Sequence, residues 1–210
     1  MLRLAVLVSG GGTNLQAILD AIAEGSLDAR VTLVLSNRAD AFALERARRA
    51  GVPTRVVAHK SFASREEFDG TVVEAVRASG ADWVVLAGFM RIVTAVLLDA
   101  FQHRVLNVHP ALLPAFPGAH AQAQALAYGV KFTGCTVHFV DAGMDTGPII
   151  AQAVVPVGAD DTVESLSSRL LAEEHRLLPE VLRWVAAGRV SVERGASGER
   201  ARVRIQPALL

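Results

Sequence analysis

Three stretches of the 210-residue chain carry side chains whose type and spacing could do chemistry. The first is Asn107-Val108-His109-Pro110. Residues 105–108 have the apolar, β-branched character of a buried strand end, and Pro110, Pro114, Pro117 and Gly118 then forbid regular structure. On an extended backbone, residues two apart point to one face. The Asn107 amide and the His109 imidazole therefore emerge together at the lip of a sheet, where ligands bind in open α/β folds. A lone histidine there is a satisfied strand-end residue; paired with Asn107 it is a candidate functional group. The second stretch is Ser9-Gly10-Gly11-Gly12-Thr13-Asn14-Leu15. A glycine turn that follows a strand and opens a helix offers free N–H groups at the positive end of the helix dipole, which suits a phosphate. Leu15 stands where a dinucleotide fingerprint needs its third glycine. The second strand ends in Ser36-Asn37-Arg38 rather than a ribose-binding acid, and no Gly-Lys-Ser/Thr follows. A tight βα turn needing glycine only for positive φ is the structural alternative; three glycines with Thr13 and Asn14 favour a phosphate monoester. The third is Asp145, in Asp141-Ala142-Gly143-Met144-Asp145-Thr146-Gly147. It is either a turn former or, if the loop folds back over the fifth strand's end, a carboxylate that orients His109 and favours its charged form.

Other chemistries find less support. Ser9 and Cys135 have neither a nucleophile elbow nor an evident base. No two histidines fall at an i, i+4 spacing, and His109, His120 and His138 make no recognised ligand motif, so no metal is expected. General acid–base work and oxyanion stabilisation of a bound electrophile remain. Arg65, just inside a helix start, reads as an exposed arginine or as a partner for an anionic ligand. Glu173-Glu174-His175 reads as a solvated helix face.

These groups need a scaffold, and the hydrophobic pattern supplies one. Continuous apolar runs at 2–8, 31–35, 54–58, 83–87 and 105–108 alternate with helical stretches: one bearing Leu15, Ile18, Leu19 and Ile22, one capped by Asp40, one opened by a Ser64/Glu67 capping box, and one at 95–101. Strands that are apolar throughout, separated by helices, predict a parallel sheet covered on both faces. After the central loop the rhythm changes to a helix at 121–128, two successive strands at 134–140 and 148–157, expected to pair antiparallel, and a long helix capped by Asp161 and Glu164 with Pro179 as a candidate kink point. Residues 190–193 and 202–206 flank Gly195-Ala196-Ser197-Gly198 and suggest a hairpin appendage. The expected fold class is α/β, Rossmann-like, with an antiparallel extension. Lys+Arg 21 balances Asp+Glu 21, which gives no electrostatic reason for a nucleic-acid or membrane partner. A single cysteine, no signal-peptide pattern and no apolar run near the roughly 20 residues of a membrane span point to a cytoplasmic protein.

The glycine turn with Gln16-Ala17-Ile18 after it, Ser36-Asn37-Arg38-Ala39-Asp40-Ala41, Leu86-Ala87-Gly88-Phe89-Met90-Arg91-Ile92, Asn107 to Pro114 and Gln152 to Val157 together resemble the phosphoribosylglycinamide formyltransferase family, the folate-dependent glycinamide ribonucleotide transformylases. The resemblance runs from Leu2 to about Val192. It implies a formyltransferase domain over 1–192, with 193–210 as a tail. It implies formyl transfer from 10-formyltetrahydrofolate, the co-substrate, to glycinamide ribonucleotide, with no metal and as monomer or homodimer. Asn107, His109 and Asp145 match the family's catalytic positions. Gly12, Thr13 and Asn14 match its phosphate loop, and Glu174 a further substrate contact. Arg65, Met90, Arg91, Ile92, Val93, Asp141, Ala142, Gly143, Met144 and Asp145, with Asn107, match folate-contacting positions. Ala111, Ala115, Ala121 and Thr146 depart from the family's usual residues without removing a catalytic group. Methionyl-tRNA formyltransferase and formyltetrahydrofolate hydrolase share the Asn-x-His-Pro core and the aspartate. The first carries a large C-terminal domain and the second an N-terminal one that 210 residues starting a strand at Leu2 do not accommodate. A non-catalytic phosphate-binding module would not need all three of Asn107, His109 and Asp145. The arginines of the tail, Arg194, Arg200, Arg202 and Arg204, read as a solvated hairpin rather than an anion-binding surface.

Overall fold

The computed structural model describes residues 1–193, 195 and 199–207. The chain divides into two compact units, Met1–Asn107 and Val108–Leu210. The first unit alternates β1 (Leu2–Val8), α1 (Thr13–Ala23), β2 (Ala29–Ser36), α2 (Phe42–Arg49), β3 (Thr54–Val56), α3 (Arg65–Ala78), β4 (Trp83–Leu86), α4 (Ala95–Ala100) and β5 (Val105–His109), whose last two residues open the second unit. The strands run parallel in the order β3-β2-β1-β4-β5. Residues 4–8 of β1 are wholly shielded from solvent, as a central strand covered on both faces must be. The chain steps outward from β1 to β3 and then returns to the far side of β1 for β4. Right-handed crossovers put α1 and α2 on one face and α3 on the other. α1 packs on α2, and α3 on α4. The direction of winding reverses between β1 and β4, and the crevice beyond their C-terminal ends is where such a sheet receives a ligand.

The second unit holds α5 (Ala121–Tyr128), β6 (Phe132–Phe139), β7 (Ile149–Pro156), α6 (Val163–Ala186), β8 (Val190–Glu193) and β9 (Arg202–Ile205). β6 and β7 are an antiparallel pair, in register from Phe132 opposite Pro156 to Val137 opposite Ala151, with a one-residue shift before His138 opposite Ile149. α6 lays Leu166, Leu170, Leu177, Leu178, Val181 and Leu182 towards β6 and β7. Each fully buried leucine there contributes about 1.5–3 kcal/mol. The helix runs on through Pro179 as one 24-residue element. β8 and β9 form the expected hairpin, closed by the Gln206 N–H donating to the Arg189 carbonyl at 2.9 Å, and β9 lies against β7. Arg194 and turn residues 196–198 lie outside the described residues. Among the described residues no helix is long and apolar enough to cross a membrane.

Two helix starts differ from the sequence reading. Asp40 does not cap α2; Ala41 occupies that position and Asp40 takes a two-pronged bond from Arg38, at 3.0 and 2.8 Å. α6 is capped by Thr162 and Ser165, each side chain bonded to the other's backbone N–H, not by Asp161 and Glu164. Asp161 instead accepts from the Gly158 N–H, Ser165 Oγ and Arg169. Those donors, Arg169 first, hold its carboxyl well below the usual range. The third strand also ends early, at Val56, and His59–Ser61 make a short 3-10 turn. At α3 the Ser64 cap is as expected, accepting from the Glu67 N–H at 3.1 Å, while Glu67 reaches back to the Ala63 N–H rather than to Ser64.

Candidate active site

In the second unit, β5 delivers His109 at its last residue and the β6–β7 loop delivers Asp145. The loop does fold back: His109 Nδ1 is 3.3 Å from Asp145 Oδ2. His109 Nε2 is 2.8 Å from the Phe116 carbonyl. Both ring nitrogens thus face acceptors, an arrangement that hydrogen-bonds at both ends only when each nitrogen carries a proton. The imidazole is 5% exposed, so water does not compete for those partners. Asp145 Oδ2 also accepts from the Gly118 N–H at 2.8 Å, and its Oδ1 lies 3.7 Å from His138 Nε2. His138 is a site residue that the sequence reading set aside. It is buried at the end of β6, with Nδ1 2.8 Å from the Phe139 carbonyl. Burial pushes its imidazole below the ordinary histidine value, and the opposing pull of that carbonyl and of Asp145 does not make up the difference.

Side chains of the β6–β7 pair fix the proline-rich wall beside His109. Thr136 Oγ1 donates to the Ala111 carbonyl at 2.7 Å and accepts from the Leu113 N–H at 3.1 Å. Gln152 Nε2 reaches the Leu113 carbonyl at 2.9 Å and Thr136 Oγ1 at 3.0 Å. Ala111 is fully buried, so the methyl group there fills space that a solvent-facing residue would not. Phe116 and Asp145 both hold positive φ, 52° and 54°. That is ordinary for aspartate but costs a bulky residue roughly 1–2 kcal/mol. In the 141–145 loop, Asp141 Oδ1 accepts from the Gly143 N–H and from Thr146 Oγ1, leaving Ala142, Gly143 and Met144 exposed.

The first unit holds the glycine turn and the 88–93 segment. The carbonyls of Gly10, Gly11 and Gly12 accept from Ala43 N, Arg46 Nε and Gln16 N at 3.0, 2.8 and 3.0 Å. Among the described residues no side chain caps α1 at Gly12, and a helix start of this kind favours an anion. Gly12 is required on two counts: its φ is 71°, and a Cβ there would meet the Ala43 Cβ at 2.5 Å. Thr13 is half-buried and Asn14 buried. Ser9 joins this turn to the second segment, since its Oγ accepts from the Met90 N–H at 2.8 Å. Met90 is 75% and Ile92 47% exposed, an uncovered apolar pair, while Val93 is buried and Arg91 half-buried. Buried Asp69 anchors the end of the segment, accepting from Thr94 N and Oγ1 at 2.6 and 2.8 Å.

Of the remaining candidates, Arg65 is exposed on the first turn of α3, and half-buried Asn107 lies two residues before His109 on β5. Glu174 departs from the solvated-face reading: it is 5% exposed on α6, and its charge adds to burial in pushing the Cys135 thiol up to about 12.

Comparison with known proteins gives one result throughout. The formyl transferase family model matches residues 2–182. Phosphoribosylglycinamide formyltransferase of Escherichia coli is 43% identical over 196 residues, 93% of this chain and 92% of that protein. The human trifunctional purine biosynthetic protein adenosine-3 is 45% identical over 197 residues. The chain spans only 14–19% of the length of such trifunctional proteins. The crystal structure of glycinamide ribonucleotide transformylase 1 from Symbiobacterium toebii matches with a TM-score of 0.94 at 55% identity, covering 99% of this chain and 95% of that one.

Proposed function

From a chain that belongs to the formyl transferase family, we infer a folate-dependent phosphoribosylglycinamide formyltransferase: it transfers a formyl group from 10-formyltetrahydrofolate to the amine of glycinamide ribonucleotide, giving formylglycinamide ribonucleotide and tetrahydrofolate in purine biosynthesis. The observation that carries this reading is the pairing of buried His109 with half-buried Asp145, 3.3 Å apart, at positions that match the family's catalytic ones. The donor supplies an electrophilic formyl carbon. His109 Nε2–H, now on the Phe116 carbonyl, donates to the formyl oxygen in its place as negative charge grows there, with the Asn107 amide as second donor. Asp145 orients the ring and, directly or through a water, helps take the amine proton. Gly12, Thr13 and Asn14, at the open end of α1, hold the ribonucleotide phosphate, and Glu174 makes a further contact with that substrate.

Arg65, Met90, Arg91, Ile92 and Val93, together with Asp141, Ala142, Gly143, Met144 and Asp145, hold the folate. The exposed Met90 and Ile92 side chains of the first unit suit a flat ring and its linker, and Arg65 suits a carboxylate tail. We take 1–192 as the formyltransferase domain and 193–210 as its tail. The enzyme works in the cytoplasm on these two small molecules, as monomer or homodimer, with no nucleic-acid or membrane partner. A steady-state assay with 10-formyltetrahydrofolate and glycinamide ribonucleotide tests the reading. Formylated ribonucleotide is the expected product, and binding of both substrates without turnover overturns it.

A further inference from the structure

The first unit contains a chain of polar contacts that the proposed reaction does not use. The Met90 N–H donates to Ser9 Oγ at 2.8 Å. The Ser9 hydroxyl donates to Asn37 Oδ1 at 2.7 Å, in a buried contact between the ends of β1 and β2. The Asn37 amide then presents Nδ2 to His59 Nδ1 at 3.2 Å. His59 Nδ1 also lies 3.4 Å from the Asn37 carbonyl oxygen, but the shorter contact is to the amide nitrogen, which only donates; in the tautomer that closes it Nδ1 accepts, and every link points the same way, from Met90 towards His59. Bonds aligned head to tail polarise and strengthen one another. Ser9 and Asn37 are each 5% exposed, so neither has water as a substitute partner. Without the ring acceptor, only the Ser9 hydroxyl fixes which end of the Asn37 amide faces it. A flipped amide would set a donor against the Ser9 hydroxyl and turn the hydroxyl proton towards the Met90 N–H.

We propose that His59 is a positioning residue for the formyl donor: through Asn37 and Ser9 it fixes the Met90 backbone, and with it the 90–93 segment that the proposed function gives to the folate. The inference rests on that reading for its consequence but not for its mechanism. Ser9 also opens the glycine turn, so one hydroxyl sets the backbone that follows β1 and, through Met90, the backbone that follows β4. A group that orders one binding segment acts on that ligand's affinity more than on the chemical step.

Two replacements separate the hydrogen bond from mere packing. His59→Phe keeps the ring and removes the acceptor. His59→Asn places a carbonyl oxygen near the position of Nδ1 and restores it. Amide hydrogen exchange in the ligand-free protein reads the relay directly. The Met90 N–H should exchange about tenfold faster in His59→Phe and return towards the wild-type rate in His59→Asn, as loss and recovery of one net hydrogen bond would give. The KM for 10-formyltetrahydrofolate should rise by a similar factor in His59→Phe alone, with kcat and the ribonucleotide KM within about twofold of wild type. Ser9→Ala, which cuts the relay at its centre, should give the same exchange phenotype. Unchanged Met90 exchange in His59→Phe overturns the proposal. So does a fall in thermal stability that moves both KM values and kcat together, or a failure of His59→Asn to rescue. A wild-type protein that binds both substrates but does not turn over refutes the formyl-transfer reading instead, because the exchange measurement needs neither substrate.

Discussion

His109 has an acceptor at each ring nitrogen, the Asp145 carboxylate at 3.3 Å and the Phe116 carbonyl at 2.8 Å. This residue should matter to the transition state and little to ground-state affinity. His109→Ala should lower kcat/KM by about 10²–10³-fold, the usual effect of losing one oxyanion donor. Calorimetry should find its affinity for glycinamide ribonucleotide nearly unchanged. His138 makes a separate prediction, for stability against pH. Its folded-state value lies below the 6.5 of a free imidazole because burial disfavours the charged ring. As pH falls through 6.5 the unfolded chain takes a proton that the folded chain refuses. Stability is therefore full above that value and is lost as pH drops towards the folded-state value. Urea unfolding at about pH 7.5 and 5.5 should show a larger loss for the wild type than for His138→Gln. His138 sits at the end of a strand before a glycine-containing loop, as His109 does, but it lacks the same-face amide that singled out His109. The burial of Glu174 had no such signal, because which face of a long helix lies innermost depends on partners far away in the chain.

At the scale of elements, the central strands and the helix periods were legible because burial on both faces leaves an unbroken apolar run, as in residues 4–8. Caps were less legible. Asp40 and Asp161 have the right chemistry to open a helix, but Arg38 and Arg169 hold them in charge-assisted bonds, and Thr162 and Ser165 cap α6 instead. Such competition depends on where an arginine side chain lands, which spacing does not specify. The glycine turn opens α1, as its sequence predicts, and the packing against Ala43 explains why Gly12 in particular is needed. Gly12→Ala would force a Cβ against Ala43 at a positive φ. It should raise the ribonucleotide KM by tenfold or more and cost about 1–3 kcal/mol in a denaturant titration.

For the molecule as a whole, opposite charges balance, 21 against 21. Its ion pairs Arg3–Asp82, Arg38–Asp40, Arg49–Glu45 and Arg176–Glu180 lie largely at the surface. Pairs of this kind contribute about 0–1 kcal/mol each and are screened by salt. Stability rests instead on the shielded strands and on the apolar stripe of α6. Thermal melts at about 0.05 and 0.5 M sodium chloride should therefore differ by less than about 3 °C. The layout of the fold was legible at this scale because a parallel sheet with intervening helices and an antiparallel pair with a long covering helix each impose their own periodicity. The return of the 141–147 loop onto His109 was not, since it depends on the Gly118 N–H meeting Asp145 and no local pattern encodes that pairing.

The backbone at Asp145 also determines how the site can vary. With φ at 54°, this position admits glycine, asparagine or aspartate at little cost and charges most other residues roughly 1–2 kcal/mol before any chemistry is considered. Under the proposed reaction two filters act in series, one on conformation and one on charge, and aspartate is the residue that passes both. A saturation library at 145 sorted for folding should return glycine, asparagine and aspartate; sorted for turnover, it should return aspartate alone. Alanine is then a misleading probe, because it adds strain to the loss of the carboxylate. The substitution Asp145→Asn keeps the turn and an acceptor for the Gly118 N–H, so the activity of that variant isolates what the negative charge contributes.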